Sequence, residues 1–210
     1  MKFCVFLYEG MEPIDLATFG VLSMAKRIEP SIEISTVAPE PGPVTLANGL
    51  KVLADCGFAN APECEVLIVG GGPGWVTQAE NPGTLDYLRR IAAKHQVVSV
   101  CTGAMILAAA GILDGKRATT KQETVPPEIP PLDIMRKRYP AIRSQTASVV
   151  DEGSVVTGGG VTLCIDTVLH VLGVRLGDKL AAETARIMEY SRAWKANQAA
   201  LPVIGPGGMA

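Results

Sequence analysis

Residues 97–111 read VVSVCTGAMILAAAG, and the change of character at Cys101 decides the fold. Residues 96–100 are largely apolar and β-branched, which favours a buried strand, whereas residues 104–110 are good helix formers. Thr102 and Gly103 fill the turn, Gly103 supplying backbone freedom and close approach. The stretch predicts a strand running into Cys101 and a helix starting directly behind it, the cysteine form of a nucleophile elbow. A sulfur held there faces the first free amides of the helix. Those amides and the helix dipole favour the thiolate, so a depressed pKa and high reactivity are expected for Cys101. The competing reading, a cysteine buried only as a small apolar residue, does not use the strand–turn–helix context.

Outward from this junction, strand-like and helix-like segments alternate, which predicts an α/β fold with a mostly parallel central sheet and helices on both faces. Residues 3–8 form the first apolar strand, and Pro13 opens a helix continuing through Leu16, Val21, Leu22 and Ala25. A strand is expected at 32–37. Residues 40–55, punctuated by Pro, Gly and the pair Asn48-Gly49, read as a hairpin. Residues 66–69 are a buried strand ending on Gly70-Gly71-Gly72, and Asn81-Pro82 starts a helix with Leu85, Leu88, Ile91 and Ala92 on one face. Beyond the elbow come a short strand at 117–120 and an extended loop at 123–131 holding four prolines. A second hairpin brackets Asp151-Glu152-Gly153, a helix follows Gly160, and a last helix is expected over about 176–196. One domain, residues 1–198, is expected, followed by a flexible Gly/Pro tail at 199–210.

Composition narrows the function classes. The 210 residues carry 19 basic and 21 acidic groups, a net charge of −2, which leaves no electrostatic footprint for nucleic acid or an anionic membrane. The five cysteines are widely spaced without CxxC pairs, and only two histidines are present, so neither a disulfide framework, a zinc cluster nor a histidine-rich metal site is expected. The N-terminus does not read as a signal peptide, and the apolar run 97–113 is interrupted at the elbow, so it is read as strand plus helix and not as a membrane span. A small-molecule substrate, a reducing cytoplasm and no organic or metal cofactor are the expectations.

Three further features bear on chemistry. The amides of the Gly70-Gly71-Gly72 loop sit at the carboxyl edge of the sheet, where open α/β folds bind ligands, and with the Thr102 amide they are candidates for an oxyanion hole. GGGPGW lacks the Lys-Ser/Thr of a P-loop and the GxGxxG of a dinucleotide site. Asp15, flanked by apolar residues in PIDLATFG, is either a helix-terminal acid or a buried one. Beside a thiolate, a buried Asp15 would be driven toward its protonated form and could shuttle a proton. Trp75 is a candidate pocket wall. His95 reads as a solvated helix terminus and His170 as a core or interface residue.

Together, IDLATFG, GGGPGW, SVCTGAMILAAAGILDGKRATT and VVTGGGVTLCID resemble the ThiJ/PfpI superfamily, whose fold is like that of class I glutamine amidotransferases, over about residues 2–190. Within it the pattern is similar to the isocyanide hydratase group and to the amidotransferase-like domains that precede AraC-type DNA-binding modules. The resemblance implies Cys101 as nucleophile, Asp15 as its hydrogen-bonding acid/base, Gly71 and Gly72 as oxyanion amides, and a homodimer. Thr102 stands where peptidase-like members carry histidine, which disfavours a Cys-His protease. The chain departs from the hydratase-like TTHW pattern with Thr119-Thr120-Lys121-Gln122. The leading expectation is a cofactor-free cysteine enzyme hydrating an isocyanide to an N-substituted formamide. A methylglyoxal-directed enzyme and a small-molecule or redox sensor without turnover are the alternatives.

Overall fold

A computed structural model of the chain describes residues 1–206. Chain order begins with β1 (Lys2–Phe6), a 3₁₀ turn (Pro13–Leu16), α1 (Ala17–Lys26), β2 (Glu33–Ala38), the hairpin β3 (Gly42–Thr45) and β4 (Lys51–Ala54), β5 (Cys56–Gly57) and β6 (Val66–Val69). There follow α2 (Trp75–Gln78), α3 (Pro82–Ala92), β7 (Gln96–Ser99), α4 (Gly103–Ala109), β8 (Arg117–Ala118), α5 (Pro131–Arg138) and β9 (Arg143–Ser144). The C-terminal part comprises β10 (Val149–Asp151), β11 (Val155–Gly158), α6 (Leu163–Leu176), α7 (Asp178–Ile187), α8 (Ser191–Ala200) and β12 (Val203–Ile204).

The central sheet has the order β12-β10-β11-β7-β6-β1-β2-β5, and every pairing in it is parallel except β10 with β11. All residues of β6 and β7 are buried, as expected for parallel strands covered on both faces. Helices α1, α6 and α7 pack together over one face, and α3, α4 and α2 form the other layer. Asn81 caps α3 by accepting from the Thr84 N–H at 3.2 Å, with Pro82 directly behind it. The 42–54 hairpin forms with Asn48 at φ 60° and Gly49 at φ 86°, the left-handed conformations that this pair accommodates.

From β1 the chain crosses to β2 and β5 on one side, then returns to β6 on the other. The two crossovers diverge at the carboxyl ends of β1 and β6, which opens a crevice there. Tyr8 to Asp15 leave β1, Gly70 to Gly72 leave β6, and Cys101 leaves β7 at this edge.

Three expectations are corrected. The single helix over 176–196 is two, α7 and α8, broken where Glu189 adopts φ 56°. Asp166 of α6 ties the second piece back, accepting from the Tyr190 hydroxyl at 2.7 Å and the Asn197 amide at 3.1 Å. The tail set apart at 199–210 is partly ordered into the sheet: Val203 and Ile204 pair in parallel with β10, and the Ser148 N–H donates to the Pro202 carbonyl at 2.9 Å. These backbone groups satisfy the otherwise open edge of β10, and residues 207–210 lie outside the described residues. Finally, α5 begins on the last proline of the expected loop, since proline fits the first turn of a helix.

Candidate active site

Cys101 sits at the strand-to-helix junction with φ 51°, a left-handed conformation that only a tight turn imposes on a residue with a side chain. Its N–H donates to the Gly159 carbonyl at 3.0 Å, which locks the turn to the end of β11. The residue is 3% exposed, and it lines a cavity of about 670 Å³. Trp75, Ile14 and Ile134 form apolar walls of that cavity, Gly72 and Thr102 its floor, and Glu12, Lys121 and Glu128 its charged groups.

Asp15 lies in the 3₁₀ turn after β1 and is fully buried. Its Oδ2 accepts from the Gly71 N–H at 2.6 Å, and its Oδ1 has no hydrogen-bond partner among the described residues. Gly71 stands between this carboxyl and the cysteine. A Cβ on Gly71 would lie 2.9 Å from the Cβ of Cys101 and would collide with the backbone nitrogen of Thr102, so only glycine fits. Tyr8, buried beside the pair, donates its hydroxyl to the Gly70 carbonyl at 2.9 Å.

Electrostatics follow from this burial. Loss of solvent pushes the Asp15 carboxyl up to about 7; the Gly71 hydrogen bond opposes the rise and the Glu12 charge adds to it. Burial and then the Asp15 charge push the Cys101 thiol up to about 12, against the lowering effects of the Thr102 N–H, the Lys121 charge and the Thr102 hydroxyl. The expected depression of the Cys101 pKa is therefore corrected. The amide behind the cysteine does favour the thiolate, but α4 is only seven residues long, and desolvation beside a carboxylate outweighs it. Only one negative charge is readily held by the pair.

The proposed oxyanion amides need a second correction. The Gly71 N–H is committed to Asp15, and the Gly72 N–H donates to Thr102 Oγ1 at 2.8 Å, so neither is free toward the cavity. The Thr102 N–H instead faces the Cys101 sulfur. Trp75 lines the cavity as a partly buried wall. His170 pairs with Asp151 at 2.9 Å on β10 and does not line this cavity.

Sequence reasoning missed Glu12 and Gly160, and it met Lys121 only as a departure from a pattern. The stem of Lys121 and the Cys101 sulfur both approach Gly160, and a Cβ there would meet Lys121 Cβ at 2.9 Å and Cys101 Sγ at 3.0 Å. The only advance sign was the glycine run 158–160 itself.

The profile of the DJ-1/PfpI family matches residues 1–173. The chain belongs to the DJ-1/PfpI family. As a DJ-1/PfpI protein it is 33% identical over 191 residues to an isonitrile hydratase of Pseudomonas putida, an alignment spanning 89% of this chain and 77% of that protein. It is 27% identical over 189 residues to the HTH-type transcriptional regulator GbdR of Pseudomonas aeruginosa; that match spans 84% of this chain and about half (49%) of the regulator. Among solved structures, a ThiJ/PfpI family protein from Pseudomonas syringae superposes with a TM-score of 0.78 at 27% identity, covering 90% of this chain and 74% of that one. The chain is thus similar both to an enzyme and to part of a regulator. Among the described residues, no helix is long and apolar enough to cross a membrane.

Proposed function

We propose that this protein is a cofactor-free cysteine enzyme that hydrates isocyanides to N-substituted formamides. The observation that carries this reading is the placement of Cys101 and Asp15 on either side of Gly71, with Cys101 lining a largely apolar cavity and Asp15 buried behind it. The resting thiol is protonated, so Asp15 as carboxylate takes the thiol proton while sulfur bonds to the terminal isocyanide carbon. Asp15 then returns that proton to the same carbon, forming an S-linked thioimidate. Water adds to this carbon, and the proton it releases passes through Asp15 to the substrate nitrogen, leaving a carbinol with one hydroxyl proton. Collapse forms the carbonyl and breaks the carbon–sulfur bond while the hydroxyl proton passes through Asp15 to sulfur, so that the N-substituted formamide leaves and the thiol is restored. The Thr102 N–H, facing the sulfur, stabilises its developing negative charge. The isonitrile hydratase relative supports the reaction class.

The test is formamide formation from a panel of aryl and alkyl isocyanides. Turnover should vanish in Cys101→Ala and fall by about 10²–10⁴-fold in Asp15→Asn; turnover retained in Cys101→Ala would overturn the reading. The same proposal includes a cytoplasmic homodimer. The exposed Phe19 and Leu53, at 37% and 71%, border one apolar groove that a second copy would cover, and sedimentation measures this directly.

A second reading has its own support. The match to GbdR and the high Cys101 pKa both suit a domain that binds a small molecule without turning it over. Saturable binding of an isocyanide by the wild type, with no formamide produced, would favour it.

A further inference from the structure

Among the described residues, Lys121 is the only cationic side chain lining the cavity over Cys101. It is half-buried, and its side chain has no hydrogen bond or ion pair among the described residues. Its stem lies against Gly160 beside the Cys101 sulfur, and its backbone carbonyl accepts from the Leu132 N–H at 3.1 Å. A partly desolvated ammonium without a protein partner is satisfied by solvent or by an anion that enters the cavity. The remaining charged groups there, Glu12 and Glu128, are acidic. These two carboxylates disfavour a dianion, and a single negative charge that enters the cavity is drawn to Lys121. The other walls, Trp75, Ile14, Ile129 and Ile134, are apolar.

We propose that Lys121 makes this site select electrophiles that carry one carboxylate on an apolar body. Resting on the reading of Cys101 as nucleophile, the inference adds the substrate class. The substrate carboxylate pairs with Lys121 while the electrophilic carbon lies over the sulfur, and the apolar remainder packs on Trp75 and the isoleucines.

Alkylation of Cys101 by iodoacetate and by the neutral iodoacetamide tests the idea, each rate read on the Cys101 peptide by mass spectrometry. Both reagents consume the same thiolate, so any change in thiol ionisation cancels in the ratio of the two rates. Relative to a free cysteine peptide, the wild-type ratio should favour iodoacetate by about tenfold. Lys121→Met should lose that preference and Lys121→Arg should keep it, which separates charge recognition from mere packing. Phenylacetate should also protect Cys101 from iodoacetamide more strongly than phenylacetamide does. A ratio unchanged in Lys121→Met, with Cys101 still labelled, would overturn this inference and leave the hydratase reading standing. Failure of both reagents to label Cys101 in the folded protein would remove the nucleophile, and both readings with it.

Discussion

Gly71 donates its backbone N–H to Oδ2 of Asp15 at 2.6 Å across 56 positions of sequence, while leaving no room for a Cβ beside Cys101. One contact thus orients a buried carboxyl and sets its distance from a buried thiol. Because Oδ1 is left without a partner, the carboxyl keeps one site for a mobile proton. With Asp15 titrating near 7 and the thiol near 12, the pair holds one proton between those values and two below about 7.

The first prediction concerns rate against pH. Hydration should rise as pH increases through about 7, where Asp15 becomes able to accept the thiol proton, and then stay level through pH 9. In Asp15→Asn the step near 7 should disappear. Formamide production between pH 5 and 9 measures this, and a wild-type profile that is flat across pH 7 would contradict it.

Stability against pH gives a second, independent reading of the same group. The folded pKa of Asp15, about 7, lies above the unfolded value of about 3.9, so the native state binds more protons between them. Stability contributed through this group is therefore fully present below about pH 4 and declines as pH rises to about 7. Between pH 5 and 8 the wild type should lose about 2–3 kcal/mol more than Asp15→Asn. Urea unfolding of both proteins at the two pH values checks the difference.

Strain at Cys101 is open to a substitution pair. At φ 51° any side chain pays a left-handed penalty that glycine escapes. Cys101→Gly should be more stable than Cys101→Ala by about 1 kcal/mol, although both lack the thiol. Equal stability of the two variants in thermal unfolding would mean that the turn relaxes around alanine.

Thr102 should act through its hydroxyl. Oγ1 accepts the Gly72 N–H at 2.8 Å in a buried position, so Thr102→Val strands that amide and should cost about 1–3 kcal/mol. Thr102→Ser, which keeps the oxygen, should recover most of the loss. Chemical denaturation of the three proteins measures it. Comparable losses in Val and Ser would contradict the assignment of the effect to the hydroxyl.

Much of the fold was legible locally. The strand and helix around Cys101, the buried run at 66–69, the Asn81-Pro82 start of α3 and the two hairpins each depend on residues within a few positions of one another. The order of alternating segments was enough for a parallel sheet, because parallel strands require long crossovers. The break at Glu189 was not legible, since the pull of Asp166 on Tyr190 and Asn197 comes from another helix.

By itself, the sequence determined the chemical types at the crevice: a cysteine on a tight turn, an acid in an apolar setting and a glycine loop after a strand. Only the tertiary structure decided what those groups can do. It committed the Gly71 and Gly72 amides to Asp15 and Thr102, brought Lys121 beside the sulfur, and turned an expected low-pKa thiol into one held near 12. The reason is that hydrogen-bond partners and desolvation are set by neighbours distant in sequence, and in a buried site they outweigh the short-range field of a helix end.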